Sequence, residues 1–423
     1  MAMIVALKYS VNAVLLLSLV IVLSSSSCCE GKGRRVRVGL LRKMGRPGGD
    51  NREPTETVFN VLKFGAVPDE KKDNSLEFIR AWRAACDCPG KSRMIIPRGN
   101  FLAGPIVFQG PCKGPSPITV QFVGTMKALP VPSSYAEDFW ISFQHINGLV
   151  LTGGGTFDGQ GALIWKYNTC EGGGSCSTFP ANIKLNHVSN AVIRQITSIN
   201  PMGFHMGIVF SQNVKVRRVH ISAAGDSPNT DGIHISQSNQ VKVARSVIET
   251  GDDCIGIIQG STDISVTKVT CGPGHGISIG SLGKYPDEKD VKRIMVSNCT
   301  LKGTTNGLRI KTWGGSPPSQ ATDVTFKDIN MENVENPIII DQSYGHSNAP
   351  SRVKISDIRF INVFGTTISN VAVDLTCSQQ VPCERVHLSD INLKYIGPKP
   401  FTSNCVNARV NYAGMQFPPP CRS

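Results

Sequence analysis

A short pattern with apolar residues at positions 1, 3, 6 and 8 recurs through the second half of this chain. It reads Val214, Val216, Val219, Ile221, then Ile264, Val266, Val269, Cys271, then Ile294, Val296, Cys299, Leu301. Further copies are Val324, Phe326, Ile329, Met331, then Val353, Ile355, Ile358, Phe360, then Val386, Leu388, Ile391, Leu393. Weaker ones start at Ala191 and Val241. Alternation at positions 1 and 3 marks a strand with one buried face. The phase shift before positions 6 and 8 reads as a bend into a second strand. The copies start 23 to 33 residues apart, a period that belongs to solenoids or propellers. Helical repeats would show a 3.6 periodicity, which these units lack, and a propeller needs about four strands per ~40 residues, for which they are too short. The expected fold is all-β, a single-stranded right-handed parallel β-helix with an N-terminal capping helix. Its coils stack over one continuous apolar interior. The helix is read from Asp73 to Cys86 (DNSLEFIRAWRAAC), with Leu76, Ile79, Trp82 and Ala85 at helical spacing and Asp73 or Asn74 near the N-cap. A cap is expected because an open solenoid end exposes core and unpaired backbone.

The ends of the chain read differently. Residues 11–23 form an apolar run broken only by Asn12 and Ser18, after Lys8 and before four serines. This is the pattern of a secretory signal peptide over 1–27, and the run is shorter than the ~20 residues of a spanning helix. Residues 28–53 are basic, Gly-rich and aperiodic, and read as a pro-segment or disordered leader. A basic arm for an acidic polysaccharide or nucleic acid is the alternative, and secretion argues against nucleic acid. Residues 54–423 are expected to form one β-helix domain. It should be soluble and free of the membrane once the signal is removed, and it should act as a monomer. The formal charge is +13, with nine basic and two acidic groups in residues 1–52. A basic excess in a secreted domain favours polyanions such as acidic polysaccharide. The 14 cysteines fit an oxidising compartment. Short separations favour pairing Cys170 with Cys176 and Cys377 with Cys383, and Cys405 and Cys421 are further disulfide candidates. No spacing argues for zinc. Asn298-Cys299-Thr300 is a glycosylation sequon.

Asp231, Asp253 and His275 are separated by 22 residues and 22 again, each in a glycine-marked turn. An equal step suggests one position repeated on successive coils, which would stack the groups about 4.8 Å apart. Glycosidic hydrolysis needs one carboxylic acid to protonate the leaving oxygen and a second carboxylate to activate water or attack carbon. Like charges 5 Å apart repel by about 3 kcal/mol at an effective dielectric of 20, or roughly two pKa units. A stack of Asp231, Asp252 and Asp253 should therefore hold one proton into mildly acid pH. Neighbours on a regular strand point to opposite faces, so Asp252 and Asp253 share a site only near a bend. His275 can orient a carboxylate or contact sugar. Arg309 and Lys311 fall on one face with Ile310 inward, and beside an acid cluster they look like a clamp for a substrate carboxylate. Tyr344 can stack on a sugar ring.

These blocks in order, Ser227 to Gly232 (SPNTDG), Gly251 to Cys254 (GDDC), Gly274 to Gly276 (GHG) and Arg309 to Lys311 (RIK), resemble glycoside hydrolase family 28, the polygalacturonases. The resemblance covers about residues 57–423. The stretches Cys271 to Gly280 (CGPGHGISIG) and Pro337 to Gln342 (PIIIDQ) resemble the plant pollen-type exopolygalacturonases. The resemblance implies inverting, single-displacement hydrolysis of α-1,4-galacturonan in the cell wall or apoplast, with exo action from the non-reducing end favoured, endo action or a silent pectin-binding wall protein as the alternatives, and no metal or cofactor. It implies Asp252 as general acid, Asp231 and Asp253 as the groups that hold and activate water, and His275 as support. Arg309 and Lys311 become binders of the galacturonate carboxylate, Tyr344 the subsite tyrosine, and Asn229 a further substrate contact. Cys254 and Cys271 resemble a family disulfide bracing the site. Where many plant members have Tyr-Cys this chain has Tyr344-Gly345, which removes a local disulfide and puts the loop geometry there in question.

Overall fold

Residues 56–168, 179–345, 347 and 349–421 are described by a computed structural model. The expected signal peptide and leader, and Cys170 and Cys176, lie outside the described residues. The described chain winds into a right-handed parallel β-helix with one sheet of 21 strands and another of 11. The repeat is the rung register of the larger sheet. Ala191 pairs with Val214 and Val214 with Val241. Ile264 pairs with Ile294 and Ile294 with Val324, all of them buried. The phase shift is a real bend with a specific backbone. The residue between positions 3 and 6 is left-handed in every copy: Gln195, Arg218, Arg245, Lys268, Asn298, Asp328, Asn362 and Asp390, with φ between 52° and 57°. The residue just before position 1 is left-handed too, as at Asn190, Asn213 and Asp263. One left-handed residue turns the chain while keeping both flanking alternations directed inward.

Two bends per coil explain the one copy read in the wrong register. Ile358, not Val353, pairs with Val324 and later with Val386. Asp357 and Asn362 are both left-handed, so the 1-3-6-8 spacing fits the chain at 353 and again at 358. Val353 and Ile355 instead pair with Ser319 and Ala321 at the entry to the rung. The repeat also reaches back to Leu149 and Ile118. The step from Leu149 to Ala191 lengthens to 42 residues, outside the 23-to-33 spacing of the other copies, which hid the earlier ones.

The expected helix is present at Ser75–Asp87. It packs on Ile106–Gln109, the end strand of the smaller sheet. Trp82 lies 5.1 Å from Phe108, and its Nε1 donates to the Gln109 carbonyl at 2.9 Å. The buried face is Phe78, Ala81, Trp82 and Ala85. Leu76, placed on that face from its spacing, is 53% exposed, because the sheet meets the helix one position further round. Asn74 is the N-cap, but its side chain is spent bridging Val67, Lys72 and Leu102. Asp73 instead accepts the Ser75 N–H at 2.9 Å.

Candidate active site

Four strands of the smaller sheet position the site: Ile233–Ser236, Ile255–Ile257, Ile277–Leu282 and Asn306–Trp313. Ile233 pairs with Ile255 and Ile255 with Ile277. The 22-residue step is therefore one coil, and Asp231, Asp253 and His275 occupy one register two residues before these strands. The Gly232 N–H donates to the Asp253 carbonyl at 2.9 Å, and the Cys254 N–H to the Gly276 carbonyl at 2.8 Å. Buried hydroxyls brace the two Asp-bearing turns. Thr230 Oγ1 lies 2.6 Å from Ser227 Oγ and accepts from Thr250 Oγ1 and the Gly251 N–H. The Cys254–Cys271 disulfide ties the residue after Asp253 to the rung behind it. Cys377–Cys383 and Cys405–Cys421 are also joined, as is Cys86–Cys112, for which no partner was read from the sequence.

Asp252 and Asp253 meet at a bend and serve one site. The nearest polar atoms of Asp252, Asp253 and His275 lie within 4.8 Å of one another. Their environments differ sharply. Asp252 Oδ1 accepts from His275 Nδ1 at 2.9 Å and from the Asp253 N–H at 2.7 Å. Asp253, only 3% exposed, accepts from Ser278 Oγ at 2.7 Å, Arg309 Nη2 at 2.6 Å and Lys311 Nζ at 2.9 Å. Asp252, Asp253 and His275 are the only group of three such side chains close enough to ligate a cation among the described residues, and the Asp253 carboxylate is already taken by Ser278, Arg309 and Lys311.

Burial would raise the Asp253 carboxyl, but Lys311 and Arg309 outweigh it and hold the group below the usual carboxylate range. Asp231 lacks such cations. Burial, with the Asp252 charge adding to it, pushes its carboxyl up to about 6. The Asp252 hydrogen bond raises the His275 imidazole above its ordinary value. Asp253 is thus the carboxyl that ionises most readily and Asp231 the one that holds a proton further up the pH scale, through burial first and the charge of Asp252 second.

The two cations are on one face, and Ile310 between them is buried. Their first partner is Asp253, which the sequence reading had not paired with them. Arg309 Nε also donates to Ser278 at 3.0 Å, and Lys311 Nζ sits 5.2 Å from the Tyr344 ring centroid. Tyr344 is half-buried and meets Trp313 edge-on at 5.3 Å. Gly345, at φ 85°, presses its backbone against the Trp313 ring, where a Cβ would collide. The Tyr-Gly departure therefore has a packing partner in Trp313. Asn229 accepts from Asn168 Nδ2 at 3.1 Å. Asn229, Asp252, His275 and Tyr344 line one cavity of about 540 Å³.

Sequence reasoning missed His234, Ser278, Phe204 and Trp313. A signal for two of them was present: the step that links Asp231, Asp253 and His275 also links His234, Gly256 and Ser278, which the register pairs in one column with Arg309. Because Gly256 has no side chain, a space is left over it. A Cβ there would stand 3.4 Å from Asp231 Oδ2, 3.5 Å from His234 Nδ1 and 3.9 Å from Asp253 Oδ2.

Residues 86–414 match the family Glycosyl hydrolases family 28. The chain belongs to this family. It is 43% identical over 420 residues to an exopolygalacturonase of Arabidopsis thaliana, covering 97% of this chain and 96% of the relative. It is 45% identical over 368 residues to an exopolygalacturonase of Platanus acerifolia, covering 86% and 97%. Among solved structures, an exopolygalacturonase from Thermotoga maritima superposes with a TM-score of 0.72 at 21% identity, covering 86% of this chain and 93% of that one. That likeness establishes the shared fold of this family 28 chain.

Proposed function

We propose that this family 28 chain hydrolyses the α-1,4 linkages of unesterified galacturonan, releasing galacturonate from the non-reducing end. The observation that carries the chemistry is the unequal pair of acids around one space: Asp231 retains a proton where Asp253 does not. The exo mode is drawn from the relatives named exopolygalacturonases. Asp252 lines the open cavity and is the donor to the glycosidic oxygen. A water over Gly256, between Asp231 and Asp253, attacks the anomeric carbon as the carbon–oxygen bond breaks. Its proton passes to Asp231, and transfer from Asp231 back to Asp252 resets the pair. The proton position of the free site, on Asp231, is the one expected just after turnover. Arg309 Nη1, unbonded among the described residues, and the remaining Lys311 protons are directed to the substrate carboxylate. Tyr344 and Asn229 contact the sugar.

Chromatography of early products from polygalacturonate at mildly acid pH tests this. Galacturonate monomer from the first time point supports exo hydrolysis, and mixed oligomers refute that mode. New ultraviolet absorbance that disappears with chelator would mean a lyase instead. The upper limb of the pH–kcat profile is expected near pH 6, where the cluster loses its shared proton. The sign is fixed: activity falls as pH rises through that value, because Asp231 then keeps no proton to return to the donor. A profile flat to pH 8 would contradict it.

Secretion into the wall, removal of residues 1–53 and action as a monomer are part of the same proposal. The disulfides suit that compartment, and no helix among the described residues is long and apolar enough to cross a membrane. Asn298 is exposed at its bend, which suits glycosylation.

A further inference from the structure

Three polar atoms converge on the space over Gly256, and one of them belongs to neither carboxylate. His234 Nδ1 lies 3.3 Å from Asp231 Oδ2. The imidazole is not free to choose this contact. Phe204, in register with Asp231 one coil earlier, stacks on it at 4.5 Å with the planes 15° apart. Its backbone neighbours in the column are Gly207 and Gly256, so no side chain of its own column crowds it. A clamped ring with one nitrogen on a buried carboxylate is an arrangement for orientation.

We propose that His234 is a positioning residue for hydrolysis: its Nδ1–H holds Asp231 as an acceptor for the attacking water and thereby leaves the shared proton to Asp252. This rests on the galacturonan-hydrolase reading. The charged groups that face Asp231 are Asp252 and Asp253 from the next coil and His234 from its own. Arg309 and Lys311 reach it only through Asp253, and His275 only through Asp252. Among the described residues His234 is the one side chain that donates to the Asp231 carboxylate. A donor to the ionised form opposes the burial that favours a proton there. Without it, Asp231 keeps the proton after each turnover, and Asp252 is refilled less often.

The test compares the parent with His234→Phe, which keeps a ring against Phe204 but loses the donor, and with His234→Asn, whose amide nitrogen stands close to the Nδ1 position. In His234→Phe the kcat plateau on polygalacturonate is expected to fall about tenfold and the upper pH limb to rise by about one unit, as for one lost hydrogen bond to a charged group. KM should change less than kcat. A merely structural role would lower activity at every pH without moving the limb. His234→Asn should restore both plateau and limb. Without substrate, carbon NMR of the Asp231 carboxyl should place its midpoint about one unit higher in His234→Phe. An unmoved midpoint overturns the proposal whatever the substrate, as does a His234→Asn variant no better than His234→Phe. A moved midpoint in a protein with no turnover on galacturonan would overturn the substrate reading and leave the hold of His234 on Asp231 established.

Discussion

Asp252→Asn is expected to lower kcat on polygalacturonate by about 10³-fold, within the range that general acid–base groups contribute, while KM changes little. The expectation follows from what the side chain does in the free protein. Its Oδ1 accepts from His275 and from the Asp253 N–H, and asparagine can present an oxygen in the same place. Both turns keep their bonds, and thermal unfolding should stay within about 1–2 °C of the parent, as for a near-neutral substitution in a chain of this size. What asparagine cannot do is release a proton to the glycosidic oxygen. Loss of turnover with retained folding and retained binding is thus the signature of the acid role. Steady-state kinetics beside a binding titration on galacturonan oligomers provide the check. If parent and variant bind equally and both turn over negligibly, the chain is a silent pectin-binding protein on the same scaffold. If the variant keeps more than about a tenth of the parent rate, the donor is another group, and Asp231, with its retained proton, is the candidate.

How much of this was legible beforehand follows from the physics of each feature. Burial alternation is written directly in residue type, so Val214, Ile294 and Val386 revealed the rungs without coordinates. The bends were legible only as a phase shift, since Arg218, Lys268 and Asn362 share a backbone conformation and no chemistry. That same silence let the copy at Val353 be read five residues early. The equal steps among Asp231, Asp253 and His275 gave the column, because one coil is one step in register. Partnerships across columns were harder. Arg309 and Lys311 were read as facing a substrate anion, yet an internal anion, Asp253, lies closer and takes both. Sequence gives the side on which a cation stands but not the depth of the acid beside it. His234 and Ser278 stood at the same step as the aspartates and were passed over. A lone histidine in a strand is more often structural than not, and only its distance to Asp231 changes that reading.

The second large effect concerns stability. Asp253→Asn is expected to destabilise the fold by about 3–5 kcal/mol at neutral pH, the usual result of removing one side of a buried ion pair. The melting temperature should fall by on the order of 5 °C for a domain this long. Lys311 is 7% exposed and Arg309 is nearly as enclosed, so neither cation can turn to water when its counter-charge goes. Asparagine also sets an amide donor toward the Lys311 ammonium, where two donors face each other. The pH dependence has a definite sign. Asp253 is held below the ordinary 3.8, so its stabilising contribution is present above that value and is lost as pH falls through the depressed one. The gap in stability between parent and variant should therefore close in strong acid. Adding Lys311→Met to Asp253→Asn removes the stranded ammonium, and the double variant should regain part of the lost stability, a coupling that a double-mutant cycle by denaturant unfolding measures. Turnover should not return with it, because the carboxylate that helps hold water over Gly256 is still missing. A double variant that recovered both stability and activity would reduce Asp253 to a counter-ion and leave Asp231 alone to activate the water.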